Sequence, residues 1–342
     1  MHEKEDRSHL PLELIKAEIL LILCYQSLPN TKFGCKSTIL SFLNSLHEKP
    51  IWFKVFVFGL ITVISFMVFT LFGILASTLF YGIDLLSSPI ALNNLDDQNS
   101  VNALRMIQLF NALGAFVIPP IIFWWLNKPG ESPLEPKEKF NFSTAIVAVI
   151  TMIAALPFIN WMAYINESIT LPEAFAWMKT AEEDAKILTE ALLRMDSPNI
   201  FLFNFLVIAI IPAIGEEFFF RGTIQPLIYK GTGNQHIAIW VTAFLFSALH
   251  MQFFGFFPRM ILGALFGYLF VWSKNIWYPI IGHFTNNGLA VMAAYFIQQG
   301  NLNPEFEEIG KTQITFSLGG FLLMAFMVYH FYQTTVHKKR SI

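Results

Sequence analysis

Apolar residues in this chain gather into long unbroken runs rather than alternating with polar ones. The runs fall at positions 51–81, 103–126, 143–164, 200–220, 237–257, 260–272, 276–297 and 314–332. About 20 apolar residues in a helix cross the hydrocarbon of a bilayer. Short of a closed barrel, only a helix satisfies its own backbone there. The pattern predicts an all-α fold, a polytopic transmembrane helix bundle of about eight spans. The sixth run is short for a crossing, and its Gly263 and Gly267 have the spacing that lets another helix approach closely. Positions 172–193 read differently. Phe175, Trp177, Met178, Ile187, Leu188 and Leu192 recur at helical spacing among acids and lysines, which predicts an amphipathic helix on the surface of the bundle. The run at 19–24 is too short to span, and Glu13 and Glu18 before it do not fit the basic start of a signal peptide. That segment is expected to be interfacial. The chain thus divides into an extension (1–50), a first group of spans with the amphipathic helix (51–198), a polar-marked core (199–298), and a last span with its tail (299–342).

Composition strengthens the membrane reading. Of the 342 residues, 55% are hydrophobic and only 13% charged, where a soluble domain has about 25% charged. Phe alone supplies 37 residues, as lipid-facing helices and a greasy pocket would need. The formal net charge of −2 and the lack of a basic run exclude nucleic acid as a partner. Cys24 and Cys35 form neither a redox pair nor a zinc pattern. Basic residues cluster in alternate loops: Lys128, Lys137 and Lys139, then Arg221 and Lys230, then Lys274, then Lys338, Lys339 and Arg340. The intervening loops are acidic, with Asp96, Asp97, Glu182, Glu183, Asp184, Glu305, Glu307 and Glu308. Positive charge stays on the cytoplasmic side, so an integral, multi-pass protein with both termini cytoplasmic is expected. Arg259 breaks the pattern.

Ionisable residues at membrane depth cost about 2.5–3.5 kcal/mol each on insertion scales, so their placement is informative. Glu216, Glu217 and Arg221 lie towards the end of the fourth run. Glu217 and Arg221 are four apart and share a helix face, while Glu216 is rotated by about 100°. One acid is therefore expected to pair with the arginine and the other to be free to act on water. Phe246 and His250 are four apart in the fifth run, and His283 and Asn287 in the seventh. Asn286 is expected to point elsewhere and to pack or bond between helices. Each group alone reads as a helix-end ion cluster or as polar contacts between helices. Two carboxylates, two imidazoles and an amide on neighbouring helices suit water activation and oxyanion stabilisation. The apparent depth mismatch between Glu216 and His250 shrinks if the fourth helix continues towards Tyr229. His330, near the end of the last run, is expected to snorkel.

In these residues the chain resembles the CAAX protease and bacteriocin-processing (CPBP) family, which includes the Ras-converting endopeptidases. The family's marks are EExxxR, FxxxH, and HxxxN or HxxxD on successive motif-bearing helices. They are met here by Glu216–Arg221, Phe246–His250 and His283–Asn287. The resemblance covers roughly 199–297. It implies an intramembrane endopeptidase acting on a membrane-associated peptide or protein, with the lipid bilayer as its surroundings. Glu216 would activate water with help from His250. His283 and Asn287 would hold the oxyanion, and Glu217, Arg221 and Phe246 would support them. No cofactor is expected. Family members have also been described as metalloproteases, and the residues leave that alternative open, with Glu216, His250 and His283 as a His₂Glu zinc set. HExxH is absent, since His2-Glu3 and His47-Glu48 lack a second histidine. Patterns of the rhomboid (GxSG) and presenilin (GxGD) kind are absent too. A transporter, or an immunity or scaffold protein without proteolysis, is the competing reading. Against a transporter, the first three runs carry charge only near their ends, at Lys54 and Arg105, and no repeat is visible.

Overall fold

The computed structural model describes residues 46–83, 94–127 and 136–337. The expected interfacial segment with Cys24 and Cys35, together with Lys128 and the basic residues at 338–340, lies outside the described residues. Among the described residues the chain is all-helical, with nine principal helices: α1 (Ile51–Tyr81), α2 (Gln98–Leu126), α3 (Phe142–Glu167), α4 (Ala176–Leu192), α5 (Pro198–Thr232), α6 (Gln235–Ala248), α7 (Phe256–Ser273), α8 (Trp277–Gln298) and α9 (Ile314–Tyr332). Six of them, α1, α2, α3, α5, α7 and α9, are long and apolar enough to cross a membrane. The protein is therefore read as an integral membrane protein. α6 is short at 14 residues. α8 has 22 residues but carries His283, Thr285, Asn286 and Asn287.

Local chemistry sets the helix ends. Asp97 caps α2 by accepting the Ser100 amide at 2.8 Å. That bond, with the Ser100 hydroxyl, holds the Asp97 carboxyl below its ordinary pKa. Asn234 caps α6 through the His236 and Ile237 amides, straight after Gly233 ends α5 at φ 66°.

Two expectations need correction. The run at 237–257 is not one span. α6 stops at Ala248, Met251 takes a left-handed φ of 54°, and α7 starts at Phe256. The intervening turn is clamped from α3, because Asn166 Nδ2 donates to Phe253 O (2.9 Å) and its Oδ1 accepts the Phe257 amide (3.0 Å). The run at 200–220 is longer than its apolar content, since α5 continues to Thr232. Glu216 accordingly lies near the middle of its helix.

The long helices are not uniformly α-helical. π-turns occupy Leu113–Val117 in α2 and Phe205–Ile210 and Phe220–Ile224 in α5. Each precedes proline: Pro119 and Pro120, Pro212, and Pro226. Proline lacks the N–H that the preceding turn needs and crowds the carbonyl four residues back. A widened turn accommodates both.

Phenylalanine fills the centre. Phe58, Phe123, Phe218, Phe219, Phe220 and Phe246 join α1, α2, α5 and α6 in one buried cluster. Met152, Leu262, Phe266, Tyr278 and Phe331 join α3, α7, α8 and α9 in another. α1 instead turns Trp52, Phe56 and Leu79 outward, as a lipid-facing helix should. Gly263 and Gly267 form the contact expected of them. A Cβ at Gly263 would lie 3.1 Å from Phe246 Cδ1, and one at Gly267 would lie 2.9 Å from Ile239 Cγ2, both on α6.

The amphipathic helix α4 is fastened from within. Arg105, buried in α2, donates from Nη2 to Leu192 O (2.9 Å) and Arg194 O (2.7 Å), and from Nη1 to Asn102 Oδ1 (2.6 Å). A guanidinium thereby caps the electronegative end of α4.

Candidate active site

The site is assembled from α5 outward. Gly215 brings α5 against α2, where a Cβ would meet Val117 Cγ2 at 2.8 Å. The next two residues then face different surroundings. Glu217 is fully buried, while Glu216 keeps 12% of its side chain exposed and lines a cavity of about 230 Å³. Arg221, also fully buried, donates from Nη1 to Glu217 Oε1 at 2.8 Å and from Nη2 to Gly263 O at 2.7 Å. Its guanidinium carbon lies 4.9 Å from the Phe246 ring centroid and 5.4 Å from that of Phe266. A charge in such a place needs a carboxylate, a carbonyl and aromatic faces to replace water. Phe246 thus serves as a wall for the ion pair.

His283 enters from α8, stacked on Phe266 with centroids 5.1 Å apart and planes at 13°. Its Nδ1 lies 2.9 Å from Glu217 Oε1, the same oxygen that accepts from Arg221. A carboxylate there accepts the Nδ1 proton, which aims Nε2 into the cavity 3.8 Å from Glu216 Oε2. That spacing exceeds a hydrogen bond. His250 lies in the turn after α6 rather than within a span. Its Nδ1 is 2.8 Å from Phe246 O, so in the neutral ring the proton sits on Nδ1 and the lone pair on Nε2.

Asn287 lies one turn beyond His283. Its Nδ2 donates to Ile208 O at 3.1 Å, and its Oδ1 accepts from Asn286 Nδ2 at 3.1 Å. The two bonds orient the amide and leave one of its N–H groups over. In an α-helix the partner of Ile208 O would be the amide of residue 212, and residue 212 is proline. Ile208 lies in the π-turn before Pro212, where the missing proline N–H interrupts the regular ladder, and Asn287 donates to its carbonyl there. Asn286 corrects an expectation: it does not point away but lines the same cavity and holds Asn287.

All three motif pairs expected from the sequence thus meet. Glu216, Phe246, His250, His283 and Asn287 line one cavity, with Glu217 and Arg221 directly behind it. Residues 198–289 match the family described as type II CAAX prenyl endopeptidase Rce1-like. The resemblance read from the motifs holds over that segment, which runs from the first residue of α5 to Leu289 in α8. One curated relative, "Uncharacterized protein YpbD" of Bacillus subtilis (strain 168), is 26% identical over 106 residues, 30% of this chain and 49% of the relative. The chain thus spans about half the length of that relative. No solved structure matches.

The zinc alternative would draw on Glu216, His250 and His283, which line the cavity together. Among the described residues no group of three or more His, Cys, Asp or Glu side chains is arranged to hold a metal ion. The bond from His283 Nδ1 to Glu217 and that from His250 Nδ1 to a carbonyl leave each imidazole one free nitrogen.

Sequence reasoning missed Arg259, which also lines the cavity. Its signal was present. It is a basic residue at the head of an apolar run on the acidic side, and it turns inward to line the cavity.

Proposed function

We propose that the chain is an intramembrane endopeptidase, similar to CAAX prenyl proteases, that hydrolyses a peptide bond of a membrane-associated peptide or protein. The observation that carries this reading is the convergence of Glu216, His250, His283 and Asn287 on one cavity within an apolar bundle. A water held between Glu216 and His250 loses its proton to the Glu216 carboxylate as its oxygen attacks the carbonyl carbon. The His250 lone pair at Nε2 accepts the water's second hydrogen bond. Negative charge then grows on the carbonyl oxygen. The spare N–H of Asn287 meets it, as does Nε2–H of His283 when that ring carries both protons. The acquired proton passes to the leaving amine, and the C–N bond breaks. Glu217 and Arg221 touch no reacting atom in this scheme; they fix the His283 ring. No step passes through a metal.

The test is cleavage of a membrane-anchored peptide by purified, reconstituted protein. Glu216→Gln should remove activity while the folded yield stays that of the parent. Unchanged turnover in that variant would remove the carboxylate from the mechanism. Activity should also survive chelators. Stoichiometric zinc lost together with activity would replace this scheme with a metal one. The proposed orientation has both termini in the cytoplasm. A cysteine introduced at Glu183 should react with an impermeant reagent from outside, and one at Lys338 should not.

A further inference from the structure

Arg259 is a partly buried arginine whose guanidinium makes a single side-chain hydrogen bond and no ion pair among the described residues. Arg221 has Glu217, and Arg105 is spread over carbonyls at the end of α4. Arg259, in the first turn of α7, donates from Nη2 to Gln252 Oε1 at 2.7 Å, a neutral amide. Its Nη1 is buried and has no hydrogen-bond partner among the described residues, where Arg259 also makes no ion pair. The carboxylates whose charge reaches it are Glu182 and Glu216. Glu182 is engaged with the Phe254 amide at 3.2 Å, and Glu216 lines the same cavity. Gly255 backs the guanidinium so closely that a Cβ there would lie 2.7 Å from Nη2 and 3.2 Å from Cζ. A cation poorly solvated and facing a cavity is costly unless an anion completes it. The planar fork of arginine matches a carboxylate.

We propose that Arg259 is the anion receptor of this cavity and binds a carboxylate of the peptide held there, a claim that rests on reading the cavity as a peptide site. The carboxylate has two sources, the free C-terminus of the peptide and an acidic side chain near the scissile bond. Either places the reacting carbonyl by its distance from a fixed charge, so the site would select peptides by where they carry an anion.

Full-length protein carrying Glu216→Gln binds peptide without consuming it. Its affinity should be measured for one apolar peptide ending in carboxylate or carboxamide, and for a second pair with internal Glu or Gln. The carboxylate form of at least one pair should bind about 30-fold more tightly, the loss expected on truncating one partner of a buried charge pair. The pair that discriminates identifies the source. Adding Arg259→Gln should reduce the ratio to about threefold or less. Gly255→Ala, which keeps the charge but displaces the head group, should also reduce it. It serves with Arg259→Lys if Arg259→Gln fails to fold. Equal affinities within both pairs overturn the proposal, and so does discrimination that survives Arg259→Gln. If no peptide binds, thermal unfolding with N-acetyl-leucine against N-acetyl-leucinamide decides. Stabilisation by the acid alone, lost in Arg259→Gln, supports the receptor, and its absence overturns it. Arg259-dependent binding by a protein whose parent cleaves nothing would leave the receptor standing and defeat the protease reading instead.

Discussion

Arg105 and Arg221 are both fully buried in membrane-crossing helices, yet their surroundings are built for different ends. Arg105 is answered mainly by backbone carbonyls at the end of α4, with Asn102 Oδ1 beside them. Nothing in that cluster lines the cavity of the candidate site. Arg221 is answered by a carboxylate whose same oxygen also holds an imidazole. The first arrangement joins an outer helix to the bundle. The second passes orientation from a charge to a ring, and from the ring to a cavity. A buried arginine alone therefore says little about function. What it is bonded to, and what that group is bonded to next, says more.

The contrast can be broken by mutation. Arg221→Ala should have the largest effect. It leaves Glu217 buried with only His283 for company, and about 3–5 kcal/mol of stability should go with it. Folded protein and turnover should fall together. A normally abundant, normally active variant would show that the pair is dispensable. Asn287→Ala should leave abundance unchanged and lower kcat by about 10² to 10³, the cost of one oxyanion donor, with KM nearly constant. A rise in KM alone would assign Asn287 to substrate binding. Arg105→Ala should cost about 1–3 kcal/mol, the price of carbonyls left short of donors. The loss is limited because Asn204 Nδ2 also donates to Leu192 O at 2.6 Å. Turnover per folded molecule should not change, and a drop in kcat with stability intact would erase the distinction between the two arginines. Pro212→Ala should have the smallest effect. The restored amide competes with Asn287 for Ile208 O, and loss of one net hydrogen bond of about 1 kcal/mol corresponds to roughly fivefold in kcat. A variant as fast as the parent would mean that other contacts aim Asn287.

Much of this was legible in the sequence because the signals were local. Apolar runs marked the helices, and spacings of four placed Glu217 with Arg221 and His283 with Asn287 on shared faces. The rotation of Glu216 away from Glu217 foretold that one acid would be structural and the other exposed to the cavity. What escaped depended on partners distant in sequence. The break after Ala248 lies in an apolar stretch with no proline, and Asn166, from α3, clamps the turn beyond it. Helical geometry turned Asn286 away from Asn287, yet neighbouring side chains on one helix bond here because both border the same space. Arg259 was visible only as an exception to a rule about loops. The π-turns of α5 left their prolines in plain view, but no spacing showed which carbonyl a side chain from α8 would reach.

That last relation bears on attempts to move this chemistry elsewhere. A designer who grafts Glu216, His250, His283 and Asn287 onto another bundle copies every reactive atom. Without a proline four residues after the carbonyl facing Asn287, the host helix would keep that oxygen for itself. The amide would arrive with only the Asn286 bond to aim it. Pro212 contributes by the hydrogen it does not have, so an inventory of functional groups would leave it out of the blueprint.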